Sequence, residues 1–101
     1  MAKVIRELGV AICSCVEPVN PEDQWNPWRK AYLCKSGWLN LCESQHKFPG
    51  KQFLYFFGGH ESEQDWYLQT SYGRLEQDGS KVVFISSNTR YEFVLMGNQE
   101  G

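Results

Sequence analysis

The sequence contains no apolar run near the roughly 18 residues that a membrane-spanning helix needs. Lys3 and Arg6 imitate the basic start of a secretion signal. The apolar stretch after Glu7 is too short to continue one, and no small-x-small cleavage site comes after it. Ile12 is too bulky to precede a lipoprotein cysteine at Cys13, and no Asn-x-Ser/Thr acceptor occurs. These absences lead us to expect a soluble, cytoplasmic protein that does not engage membrane. Neither sign of charge dominates: 10 Lys and Arg stand against 12 Asp and Glu, for a net charge of −2. A duplex-DNA binder with a broad basic face is therefore disfavoured. With 4 prolines and 9 glycines, collagen-like and low-complexity organisation are excluded, and no internal repeat or linker is visible.

The common catalytic signatures are missing too. There is no Gly-x-Ser-x-Gly, and Gly58-Gly59 lacks the Lys-Ser/Thr of a phosphate-cradling loop. The cysteines Cys13, Cys15, Cys34 and Cys42 form no Cys-x-x-Cys pair, so zinc ligands would have to converge through tertiary structure. Cys13 and Cys15, two apart, would share one face of a regular strand. Weak metal candidates are these four thiols with His46, and the loop residues His60, Glu61, Glu63 and Asp65. The loop lacks the EF-hand spacing and its central glycine, and nothing in it signals a buried carboxylate. No cofactor is expected. A small metal protein or enzyme using Cys, His and the His60–Asp65 loop remains an alternative.

What the chain does have is aromatic side chains: 4 Trp, 5 Tyr and 6 Phe in 101 residues, within an ordinary 42% apolar and 22% charged composition. A chain this long supports one domain, residues 1–101, with one modest core. Residues 3–16 read as a strand, with Val4, Leu8, Val10, Ile12 and Val16 on one parity and Ala11, Cys13 and Cys15 on the other. Val4, Leu8, Ala11 and Ile12 also fit a helix over 3–13. Pro18, Pro21 and Pro27 break the pattern over residues 17–28, giving a long loop with room for one short helix opening at Asn20-Pro21 or Asn26-Pro27. Residues 29–43 suggest a hairpin turning at Lys35-Ser36-Gly37. Pro49-Gly50 is the next turn, and Gln52–Phe57 is an aromatic strand with both faces covered.

The clearest pattern is a meander over 66–96. Two-residue turns at Asp78-Gly79 and Asn88-Thr89 would join strands 66–76, 81–86 and 91–96. That register pairs Leu75 with Val82, Glu76 with Lys81, Phe84 with Phe93, Val82 with Leu95 and Ser86 with Tyr91. One face then collects Leu75, Val82, Phe84, Tyr91, Phe93 and Leu95. The other holds Arg74, Glu76, Lys81, Val83, Ile85, Arg90, Glu92 and Val94, where Val83, Ile85 and Val94 suggest contact with a second layer. The fold expected is mainly antiparallel β, a sandwich or small open barrel of five to seven strands with at most one or two short helices; α+β is the alternative.

For function, the strongest signal is Trp25, Trp28, Arg29, Lys30, Tyr32, Lys35 and Trp38, where indoles and phenols alternate with cations. Between Trp28 and Lys51 five Lys or Arg face one Glu, whereas from Gln52 onward three face seven acids. Aromatics flanked by cations offer large contact area at low rotamer cost, and at least two of the three indoles should keep an exposed edge. The sequence points to a non-catalytic binding module presenting this aromatic-basic surface to a protein or a small polar ligand. A homo-oligomer formed through a strand edge is compatible with this. Single-stranded nucleic acid is a further alternative, disfavoured by the acidic total.

Overall fold

The computed structural model describes residues 2–20, 27–45, 48–58 and 66–96. It contains seven strands: β1 (Ala2–Pro18), β2 (Ser36–Ser44), β3 (Gln52–Gly58), β4 (Trp66–Gln69), β5 (Gly73–Asp78), β6 (Lys81–Ser86) and β7 (Thr89–Leu95). A 3-10 helix spans Pro27–Tyr32. All pairings are antiparallel, in the order β2-β1-β7-β6-β5-β3-β4, and β2 also pairs with β3. The order therefore closes on itself. Of the two expected architectures, the single curled sheet is the one adopted: a barrel rather than a sandwich, and a closed ring rather than an open one. The terminal strand β4 is only four residues long, which leaves little free edge for pairing with another chain.

Two bent segments let one sheet close. Residues 2–12 of β1 pair with β2 and residues 11–18 pair with β7, with register shifts between Val4 and Arg6, Glu7 and Gly9, and Cys13 and Cys15. Gly9 takes φ +106°, a conformation that side-chain-bearing residues rarely adopt. A bulge inserts one residue, bends the strand and reverses parity beyond it. Hence Ala11, Cys13 and Val16 all point into the core although Val16 is of opposite parity, and the expected even-numbered face does not form. The same bulge separates the two thiols: Cys13 faces Phe93 inside, and Cys15 faces Glu92 outside. Residues 3–13 are strand throughout, not helix.

The second bend interrupts the expected strand 66–76. β4 pairs with β3, and β5 then leaves β3 for β6, touching β3 only where Gln52 meets Gly73. Thr70 covers the break: its backbone N–H donates to Leu54 O at 3.0 Å, and its Oγ1 accepts from Leu54 N–H at 2.8 Å. A hydroxyl thus replaces a ladder carbonyl where the strand turns away, so the buried Leu54 N–H stays satisfied.

The meander register differs from expectation by two residues at each turn. The first loop is Gly79-Ser80, with Asp78 opposite Lys81 and Leu75 opposite Phe84. Gly79 has φ +62° and Ser80 does not have positive φ, the Gly-first pattern of a type II′ turn. The second loop is Ser87-Asn88, placing Phe84 opposite Tyr91 and Val82 opposite Phe93. There Ser86 Oγ accepts from Thr89 N–H at 3.1 Å and donates to Thr89 O at 2.9 Å, tying the loop shut one residue early. Glu76 accordingly faces Val83 rather than Lys81, and pairs with Arg74 at 3.1 Å.

Moving a two-residue loop by one position shifts the register by two, and an even shift preserves the faces. Val82, Phe84, Tyr91 and Phe93 are fully buried, with Leu75 and Leu95 packed against them. They meet Leu39, Leu41, Leu54, Phe56 and Leu68 inside the barrel. The opposite face is the barrel's exterior, and among the described residues no second layer covers it: Val94 is exposed, and Arg90 and Lys81 pair with Glu92.

The expected hairpin over 29–43 does not form. Its first arm is the 3-10 helix followed by a turn, β2 begins at Ser36, and the residue with positive φ is Cys34, at 69°. Gly37 lies within β2 and serves a different need. A Cβ there would sit 2.3 Å from the Phe57 carbonyl oxygen and 2.9 Å from Trp66 Cη2. The turn at Pro49-Gly50 does form, with Gly50 at φ +88°.

Candidate functional site

The structure divides the expected site residues between two neighbouring regions at one end of the barrel. The first is the 3-10 helix and the turn after it. Pro27 pre-sets the backbone φ at the start of this helix. Tyr32 and Leu33 then pack against the core, and Trp66 faces inward from β4 beside them. The Trp66 ring lies 5.0 Å from Phe56 and 5.9 Å from Tyr32, between centroids. It fits because Gly37 and Gly58 leave room: a Cβ on Gly58 would fall 2.5 Å from Trp66 Cζ2. The Tyr32 hydroxyl donates to Tyr67 O at 2.7 Å, fastening the helix to β4.

Two cations attach to this cap. The Arg29 guanidinium lies 4.6 Å from the Trp28 ring centre, and Lys35 Nζ lies 5.1 Å from that of Trp66. Trp28 packs edge-on against Tyr32 and is 47% exposed. Lys30 is exposed on the same helix. Trp66 escaped the sequence reading because it sits at the start of the meander, far along the chain from the Trp28–Trp38 cluster. Two glycines on neighbouring strands, each followed or preceded by an aromatic, were the only signal for it.

The second region is the outer surface of β2, β3 and β4, where Trp38 lies. Directly paired residues share a face, and the ladders align Val10 with Trp38, Trp38 with Phe57, and Phe57 with Tyr67. Gly37, Leu39, Phe56, Gly58, Leu68 and Trp66 take the inward positions of these strands, so this row points outward. Trp38 and Tyr67 are each 54% exposed. Tyr55 adds a ring 5.2 Å from Phe57 and 5.6 Å from Tyr67. Farther along the same face Phe53 is covered by Tyr72, which Phe48 meets in turn. The nearly unbroken aromatic run of β3 therefore fills the core with one parity and builds an external layer with the other.

Beside Trp38 the bulged part of β1 leaves a shallow groove of about 420 Å³, lined by Glu7, Gly9, Trp38, Asn40 and Phe57. The outward positions of β2–β4, namely Ser36, Trp38, Asn40, Cys42, Ser44, Phe53, Tyr55, Phe57, Tyr67 and Gln69, carry no charge. The aromatic and basic elements expected as one surface are thus a cationic cap and an uncharged aromatic face side by side.

The metal and nucleophile candidates fare differently. Trp25, His46, His60, Glu61, Glu63 and Asp65 lie outside the described residues. Among the described residues, no three His, Cys, Asp or Glu side chains gather to hold a metal ion. Cys13, Cys15, Cys34 and Cys42 are free thiols, with Cys13 and Cys42 buried and Cys34 exposed. Burial pushes the Cys13 thiol up to about 12, and it also raises Cys42. Cys15 is raised by burial first and then by Glu17 and Glu92. These three thiols stay protonated at neutral pH, the unreactive form. Burial likewise raises the Tyr91 phenol, an effect larger than the opposing pull of Arg29.

No family model matches this chain, and neither a curated protein nor a solved structure matches it.

Proposed function

We propose that this chain is a small non-catalytic binding module whose contact surface is the outer aromatic face of β2–β4, bordered by the Trp28–Tyr32 cap. The observation that carries this reading is the outward row Val10–Trp38–Phe57–Tyr67, with two rings each 54% exposed. The core does not need these residues, because the barrel interior is filled by the opposite parity. Leaving a Trp and a Tyr on a rigid sheet costs solubility unless something covers them, and contiguous exposed apolar patches mark contact sites. Trp and Tyr are also the residues that most often dominate binding energy. The protonated, buried thiols argue against covalent catalysis by Cys13 or Cys42.

Titrations followed by intrinsic Trp emission test the reading across four ligand chemistries: neutral polysaccharide, single-stranded oligonucleotide, a cationic peptide and an anionic peptide. At least one should give a saturable response that Trp38→Ala and Tyr67→Ala each weaken by about 1–3 kcal/mol. Arg74→Ala, on exposed β5, should leave it unchanged. Absence of any saturable response, or one that both aromatic variants retain in full, overturns the proposal.

A further inference from the structure

We propose that the groove beside Trp38 binds a neutral saccharide chain, an inference that rests on the outer face being the contact surface. The argument is one of chemical complementarity. The groove is lined by an indole, a phenyl ring, a carboxamide and a carboxylate, from Trp38, Phe57, Asn40 and Glu7. No cation lines it, and its one charge is negative, so phosphate, sulfate and carboxylate ligands are repelled. A purely apolar ligand would cover Glu7 and Asn40 without pairing them, and a polar group buried without a partner loses its hydrogen bonds to water with nothing in return. Among the described residues these two side chains make no hydrogen bond or ion pair, so their capacity is available to a ligand.

A sugar ring satisfies both halves of this lining. Its C–H-bearing face packs on aromatic rings, while its hydroxyls donate to a carboxylate and exchange hydrogen bonds with an amide, which offers both donors and acceptors. The lining also suits an extended ligand rather than a compact cation. Trp38, Phe57 and Tyr67 occupy successive strands, so the row crosses two strand spacings, roughly 10 Å, and does not wrap around one point as a cage for an ammonium group would. Gln69, opposite Tyr55, places a second uncharged amide at the far side of the row. Gly9 keeps the near side open: a Cβ built there meets nothing within 4 Å and would project from a strained φ of +106°.

The test is a heteronuclear NMR titration of the isotopically labelled chain with neutral tetrasaccharides of the glucan, mannan and chitin types. A sulfated tetrasaccharide and a Lys/Arg peptide serve as counter-ligands. At least one neutral tetrasaccharide should shift the Trp38 indole N–H and the Asn40 side-chain amide saturably at millimolar concentration or below. Trp38→Ala should weaken that binding roughly tenfold or more, about 1.4 kcal/mol. Trp38→Phe should retain part of it, Asn40→Ala and Glu7→Gln should each weaken it several-fold, and Arg74→Ala should not change it. The sulfated analogue should bind more weakly, and Glu7→Gln should narrow that difference. Failure of every neutral saccharide, binding unaffected by Trp38→Ala, or tighter binding of the sulfated sugar or the cationic peptide in the groove overturns the proposal. If a peptide occupies the face and no saccharide does, the ligand class is wrong and the contact surface stands. If nothing occupies the face, both fall.

Discussion

Gly58→Ala tests whether Trp66 is held by the absence of two side chains. The new methyl carbon would sit 2.5 Å from Trp66 Cζ2, 2.7 Å from Cε2 and 3.0 Å from Nε1. All three atoms belong to one rigid indole, so the whole fused ring system must tilt away. Tilting loosens its contacts with Phe56 at 5.0 Å and Tyr32 at 5.9 Å. Overpacking of this kind costs about 1–3 kcal/mol. Gly37→Ala should cost more, because its nearest obstacle at 2.3 Å is the Phe57 backbone carbonyl, which cannot rotate aside. The decisive measurement is a double-mutant cycle of Gly58→Ala with Trp66→Leu in urea, using midpoints and slopes from far-UV circular dichroism. Leu lacks the ring that clashes, so the double variant should be more stable than the sum of the single effects predicts, with a coupling of about 1 kcal/mol or more. Additivity within about 0.5 kcal/mol would refute the reasoning and mean that the glycine is needed for something other than the indole.

The core, the thiols and the cap each yield a further expected outcome. Phe84→Ala should cost about 3–5 kcal/mol, enough to endanger a small domain's folding, because its ring is fully buried between Leu75 and Tyr91; chemical denaturation measures it. The Cys13 thiol has a folded-state value near 12 against an ordinary 9.0. The unfolded chain therefore loses this proton first as pH rises, so the stabilising contribution is complete below about 9 and is lost between 9 and 12. Melting temperature should fall across that window, and Cys13→Ala should flatten the fall; an unchanged profile in the variant would contradict the assignment. Tyr32→Phe removes the 2.7 Å hydrogen bond to Tyr67 O and should cost about 0.5–1.5 kcal/mol while increasing acrylamide quenching of Trp emission.

Much of the fold was legible because strand parity is a local property. The alternation of Val82, Phe84, Tyr91 and Phe93 specified which side of the meander is buried, and a register error of two residues left that assignment intact. Gln52–Phe57 was recognisable as a strand, although the expected covering of both faces fails at Tyr55 and Phe57, which stay half-buried on the outer side, and β-branched and aromatic content announced the β class. Of the candidate site, the aromatic-basic composition of Trp28–Trp38 was plain, and Trp28 and Trp38 do keep exposed edges.

What the chain alone did not reveal depends on contacts between distant residues. The Cys13/Cys15 bulge arises from fitting β1 against β7, so no local pattern warns that Val16 turns inward and Cys15 outward. Thr70 ends β4 because its hydroxyl meets Leu54 N–H, a partner 16 residues away, and the outer row exists only when β1, β2, β3 and β4 are in register. Local sequence determined which residues alternate and which turns can form, since both depend on neighbouring side chains and backbone φ. Closure of the sheet, the docking of the Pro27–Tyr32 helix over its end and the gathering of Trp38, Phe57 and Tyr67 into one face were decided by tertiary structure, because hydrogen bonds between strands and burial of rings are satisfied only in the assembled barrel.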